Sequence, residues 1–203
     1  MSSGVPPFIA ERRSIRSFVD APVSRGILDA LVESACLAPA PHHSRPWRFA
    51  VVDSLPAKRA LAGAMGERWR QDLGADRVAT ARIDDLVAAS HRRIENAPAV
   101  VLGCLTRDGL DRYPDSDRQQ AEWAMALLSL GAAVENLLLA ASAAGLAACW
   151  VAAPVFCPDA ARDAIALPAE WLPQAMVLVG YPDPSHRAPD RPPVPVETLR
   201  ALR

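Results

Sequence analysis

Lysine is all but missing. Of the 22 basic residues in this 203-residue chain only Lys58 is a lysine, so any phosphate here is gripped by planar, bidentate guanidinium groups. Charge of one sign is also missing. The formal net charge is -1 at pH 7, which leaves no bulk attraction for nucleic acid or an anionic membrane surface. The four cysteines, Cys36, Cys104, Cys149 and Cys157, form no metal-ligand spacing and no Cys-x-x-Cys pair. All four sit in apolar sequence, which predicts buried thiols in a reducing, cytoplasmic compartment. The opening Met1–Pro7 has no basic n-region and no apolar h-region, so no secretory signal is expected there. No uncharged apolar run reaches membrane-spanning length; Ala124–Trp150 comes nearest, and Glu135 interrupts it. A Gly-rich phosphate loop, a His-Glu-x-x-His pair and a nucleophile elbow are absent as well. Side chains alone therefore offer little chemistry, and a reaction here calls for a cofactor.

What remains is globular: 51% hydrophobic and 22% charged, enough for one domain with a real core or a compact dimer subunit. The most distinctive stretch is Ala38-Pro39-Ala40-Pro41-His42-His43-Ser44-Arg45-Pro46-Trp47-Arg48-Phe49. Three prolines fix φ and stiffen it. Two imidazoles, a hydroxyl, a guanidinium and an indole follow within His42–Trp47, a set suited to a planar ligand with a polar edge; the same residues also fit a capped turn facing water. His42 and His43 can ligate a metal, but no third ligand stands at a telling spacing, so no metal is expected. Arg12-Arg13-Ser14-Ile15-Arg16 concentrates three guanidiniums and a hydroxyl, either a phosphate clamp or a solvated basic turn.

Periodicity supplies the elements. Phe8–Arg13 is a short helical lead-in. Ser24 caps a helix carrying Ile27, Leu28, Leu31, Val32 and Ala35, which Pro39 stops. Arg48–Val52 reads as a strand. Pro56 opens a helix with Leu61, Met65 and Trp69. Gly74–Asn96 is a thinly striped helix with Arg92, Arg93 and Glu95 outside, so 65–95 reads as an exposed helical excursion, a lid over a site or a plain surface hairpin. Pro98–Leu105 is a strand buried on both faces. Arg118–Ala144 is the longest helix, apolar nearly all round, which predicts burial on every side and a role as the spine of a dimer. Gly145 caps it in the left-handed region. Leu146–Val151 is a strand running into Ala152-Ala153-Pro154, Pro158–Ile165 a short helix, and Ala175–Pro182 the last strand. Residues 183–203, with Arg187 and Arg191, form an extended C-terminal arm. There is no repeat and no linker, so 1–203 reads as a single domain of the α+β class.

The Arg-Arg-Ser-Ile-Arg cluster, the Pro-rich loop ending Arg45–Phe49, Gly145-Leu146 before a strand and Gly180-Tyr181-Pro182 before a basic arm occur in the order and spacing of the FMN-dependent nitroreductase superfamily, which the chain resembles over nearly its whole length. Ala38–Pro46, Trp69-Arg70 with Asp72-Leu73, and Tyr113-Pro114-Asp115 with Arg118 and Ala121-Glu122 are similar to a narrower branch, the C-terminal domain of the two-domain enzyme that completes coenzyme F420. The superfamily's common loop has Asn and Gln where this chain has His43 and Arg45, a departure shared with that branch.

The resemblance implies a nitroreductase-like fold, with a mainly antiparallel sheet, a long buried central helix and a domain-swapped homodimer holding FMN at its interface. It implies that Arg12, Arg13, Ser14 and Arg16 hold the phosphate, ribityl chain and pyrimidine edge, with Arg191 adding a phosphate contact. His42, His43, Ser44 and Arg45 would come from the partner and cover the flavin, and Trp150, Val151, Ala152 and Ala153 would lie along the ring with a backbone N–H near N5. The reaction implied is reduction of dehydro-F420-0 by hydride from N5, with His42 or His43 as candidate proton donors. The alternatives are a general NAD(P)H-dependent reductase of nitro or quinone compounds, a flavin-cleaving relative, and a non-catalytic flavin or F420 carrier.

Overall fold

The computed structural model describes residues 4–186, 188 and 190–201; Arg187 of the expected arm, with residues 202 and 203, lies outside them. Four strands, β1 (Trp47–Val52), β2 (Ala99–Leu105), β3 (Ala147–Val151) and β4 (Leu172–Gly180), form one antiparallel sheet in the order β1-β2-β4-β3. The helices are α1 (Pro7–Glu11), α2 (Arg25–Cys36), α3 (Leu55–Ala75), α4 (Thr80–Glu95), α5 (Ser116–Ala143), α6 (Pro158–Ala164) and α7 (Val196–Leu199). Single-turn 3₁₀ segments occupy Pro41–His43 and Ala153–Phe156. The expected α+β class with an antiparallel sheet and a long helix is what forms.

The sheet is covered on both faces, which is why β2 has no exposed residue. On one face Leu28, Leu31 and Ala35 of α2 and Leu130, Val134 and Leu137 of α5 pack on Val101, Val177 and Val179. On the other, Leu61 and Met65 of α3 and Ile94 of α4 pack on Val100, Leu102, Met176 and Leu178. The helix starts follow local chemistry: the hydroxyls of Ser24 and Ser54 accept from Ile27 and Ala57 N–H, and Asp115 Oδ1 accepts from Arg118 N–H. α5 ends where Gly145 turns left-handed at φ +71.

Several boundaries differ from the sequence expectation. α3 runs to Ala75 and α4 begins only at Thr80, because Arg77 enters the left-handed region at φ +60 and Val78 N–H closes back on Leu73 O. β3 stops at Val151, and Ala153–Phe156 coils as a 3₁₀ turn instead of extending the strand. β4 starts earlier, at Leu172, where its first residues pair with the end of β2 beyond a register shift. Cys36 is half-buried, not buried like the other three thiols, because α2 ends at the surface there.

The main correction concerns α5. It has the length and hydropathy of a membrane-crossing helix, yet it packs only one face on the sheet, burying Ala126, Leu130, Ala133, Val134, Leu137 and Ala141. Its other face is open in the single chain: Leu127 is 37% and Leu128 75% exposed.

Lys58, the lone lysine, is buried, and its Nζ donates to Ala97 O at 2.6 Å, tying α3 to the turn before β2. Burial lowers its pKa, against the raising influence of Asp20, Asp53 and Glu95. The unfolded chain therefore holds the proton more tightly, and stability rises with pH between the lowered value and the ordinary 10.5. Lys58→Ala leaves the Ala97 carbonyl without its donor and is expected to lose about 1–3 kcal/mol in urea unfolding. Lys58→Arg should not restore it, because a planar fork does not fit a pocket built for one compact ammonium.

Candidate active site

The basic cluster lies along the outer edge of β3. Ile15 N–H donates to Ala148 O at 3.1 Å, and Ser14 bridges Ala148 in parallel fashion, so the chain after α1 adds to the sheet at one point. Alternation along a strand then directs the N–H of Trp150, two residues on, to the same edge, beyond the reach of that bridge. The Trp150 side chain, 41% exposed, lies over α5, its Cη2 atom 4.0 Å from where a Cβ on Gly131 would stand. With Ala124, Leu127 and Leu128 it lines an open groove of about 630 Å³.

Guanidiniums bracket this edge. On the α5 side, Arg12 Nε pairs with Glu135 Oε1 at 3.0 Å, and Arg191 Nη2 donates to Arg12 O at 2.6 Å, which pins the C-terminal arm to the cluster. The arm is fixed further back by Asp183, whose carboxylate accepts from the Ser17 hydroxyl at 3.0 Å and from Ser185. Those Ser185 and Ser17 hydrogen bonds hold the Asp183 carboxyl below the usual carboxylate range. On the opposite face of β3, burial pushes the Cys149 thiol up while the guanidiniums of Arg16 and Arg93 pull against it. Arg93, in the last turn of α4, is exposed, as the sequence reading expected of it. Among the described residues neither Arg16 nor Arg93 pairs with a carboxylate.

The Pro-rich loop sits at the other flank of α5. Pro39, Ala40 and Pro41 with Met125, Ser129 and Ala132 line a second open groove of about 450 Å³. His42, His43 and Arg45 all adopt positive φ, at 54, 54 and 44 degrees. Each such L-residue is strained by about 1–2 kcal/mol, and strain of this kind gathers at functional sites. All three side chains are exposed, so the loop presents its rings and guanidinium outward. Within one chain the structure brings Arg12–Arg16 and Arg191 to the edge of β3, the strand that carries Trp150 and Val151 and leads into Ala152 and Ala153. It does not bring His42–Arg45 to them: no hydrogen bond or ion pair joins the two groups among the described residues, and the exposed strip of α5 lies between.

Residues 9–181 match the sequence model of the nitroreductase family. The chain is 30% identical over 184 residues to an NADH dehydrogenase of Thermus thermophilus, spanning 88% of this chain and 89% of that protein. It is 28% identical to a 5,6-dimethylbenzimidazole synthase of Rhodospirillum rubrum, spanning 92% and 86%. Among solved structures, a BluB-like flavoprotein of Clostridium difficile superposes with a TM-score of 0.74 at 21% identity over 97% of both chains. A protein of Desulfovibrio desulfuricans in complex with FMN superposes with a TM-score of 0.71 at 24% identity over 100% and 99%. The fold and the site define an oxidoreductase architecture. The chain belongs to the nitroreductase family.

Proposed function

We propose that this chain is an FMN-dependent oxidoreductase acting on a small molecule, working as a homodimer of single 1–203 domains. The observation that carries this reading is the set of cations beside the outer edge of β3: Arg12, Arg13, Arg16 and Arg191, opposed there by the Glu135 carboxylate. The donor set suits FMN. A phosphate needs several bidentate donors, and a flavin ring needs an open N–H edge and cations at its pyrimidine end. When bound, FMN supplies the hydride chemistry that the side chains lack. Arg12, Arg13, Ser14 and Arg191 would hold the phosphate, and Arg16 the pyrimidine end. The backbone of Trp150–Ala153 would run along the ring and orient it. Pairing two copies through the open face of α5 would bring His42, His43, Ser44 and Arg45 of one chain over the cation edge of the other, excluding water. In that pairing His42 and His43 would be the candidates to pass a proton to a reduced substrate.

The finer reading is reduction of dehydro-F420-0, supported by the His42–Arg45 loop in place of the common Asn and Gln. Reduction of nitro or quinone compounds is the second reading, favoured by the match of residues 9–181 to the nitroreductase family. The test mixes dithionite-reduced, FMN-loaded protein with dehydro-F420-0 and, separately, with benzoquinone. Stoichiometric product heavier by two hydrogens supports the first reading. Reoxidation by benzoquinone alone selects the second, and reduced flavin persisting with both makes the protein a carrier.

A further inference from the structure

Three residues of the His42–Arg45 loop are left-handed without being glycine, so it needs support beyond its own turn hydrogen bonds. Segment 106–113 holds it. Thr106 N–H donates to Pro46 O at 2.9 Å, and Arg48 Nη1 donates to Arg45 O at 3.2 Å while its other nitrogen lies 4.0 Å from Asp108. Gly109 packs on Ser44: at φ +78, a Cβ there would stand 3.3 Å from Ser44 O. The segment is fastened in turn to the first turns of α5. Glu122 Oε1 accepts from Asp111 N–H at 3.2 Å, and Gln119 Oε1 accepts from Tyr113 N–H at 3.1 Å. Arg107 also lies 5.2 Å over the Trp123 ring. Glu122 is only 4% exposed, and its Oε2 is buried with no partner. An apolar side chain would fill that place without the desolvation penalty, so the carboxylate is explained by the amide it holds.

We propose that Glu122, Gln119 and Gly109 are positioning residues: they lock segment 106–113, which locks His42–Arg45, so that groups remote from the loop's outer face set which acceptor fits over the flavin. The selectivity part rests on the proposed role of that loop. The test is hydrogen exchange on Gly109→Ala, Glu122→Ala, Gln119→Ala and Glu122→Gln, with benzoquinone reoxidation of the reduced, FMN-loaded forms. His43 and Ser44 N–H, which donate to Ala40 O and Pro41 O, should exchange about ten-fold faster in the alanine variants, with β2 and β4 amides unchanged. Half-maximal reoxidation should need about five-fold more quinone at a limiting rate within about two-fold, and Glu122→Gln should restore both. Unchanged His43 and Ser44 exchange, or equal acceleration throughout the sheet, would overturn the relay. A loosened loop with unaltered quinone dependence would overturn its part in selectivity. If the protein takes up no FMN, the proposed function fails while the exchange measurement still decides the relay; if Gly109→Ala does not fold, Gln119→Ala and Glu122→Ala carry the test.

Discussion

Arg12→Ala is expected to weaken FMN binding by roughly 10- to 100-fold, the loss of one charge-assisted contact, with little change in unfolding temperature. The guanidinium uses Nε on Glu135 at 3.0 Å, which leaves both Nη groups for a phosphate. Removing it takes away that contact and also leaves Glu135 uncompensated beside an incoming dianion, so the loss falls toward the upper end. Stability should hardly move, because the Glu135 side chain is 44% exposed and exposed pairs contribute little, about 0–1 kcal/mol. Arg25→Ala is the control: that residue pairs with Asp29 on the surface of α2, away from the cluster. Fluorescence titration of the flavin-free protein reads the effect. Equal affinity for the Arg12 and Arg25 variants would remove Arg12 from the clamp.

The fold was legible where local chemistry and burial agree. The Ser24 cap, the Gly145 stop and the fully buried β2 run each admit one reading, and each element formed within a few residues of its expected bounds. Boundaries slipped where tertiary contacts decide. The register shift in β2 lets β4 start early at Leu172, and nothing in Leu172–Gln174 announces it. Arg77 breaks α3 from α4 although no glycine or proline stands at that position. Cluster by cluster the candidate site stood out, because Arg12–Arg16 and Ala38–Pro46 are dense in unusual composition. The Arg12–Glu135 pair did not, since it joins residues 123 positions apart. The all-round apolar character of α5 predicted burial on every side, and one chain buries only one face of it.

That unsatisfied half gives the second large effect. Leu128→Asp is expected to convert the proposed homodimer to single subunits of 21.7 kDa and to abolish FMN retention together. Leu128 is 75% exposed and borders both grooves, the one with Pro39 and Pro41 and the one with Gly131 and Trp150. In a lone subunit an aspartate there faces water, so folding should proceed and the unfolding temperature of the subunit should hold. Across a two-fold interface the same carboxylate is buried twice, at a penalty of several kcal/mol per copy. Light scattering after gel filtration reads the mass, and the visible absorbance of the flavin reads the cofactor. Loss of both together is the signature of a site shared between subunits, because the Arg12–Arg16 edge and the His42–Arg45 loop lie on opposite flanks of α5 in one chain. A variant that becomes a single subunit yet keeps its FMN would mean that the cation edge is sufficient alone. One that stays paired would place the interface on another surface.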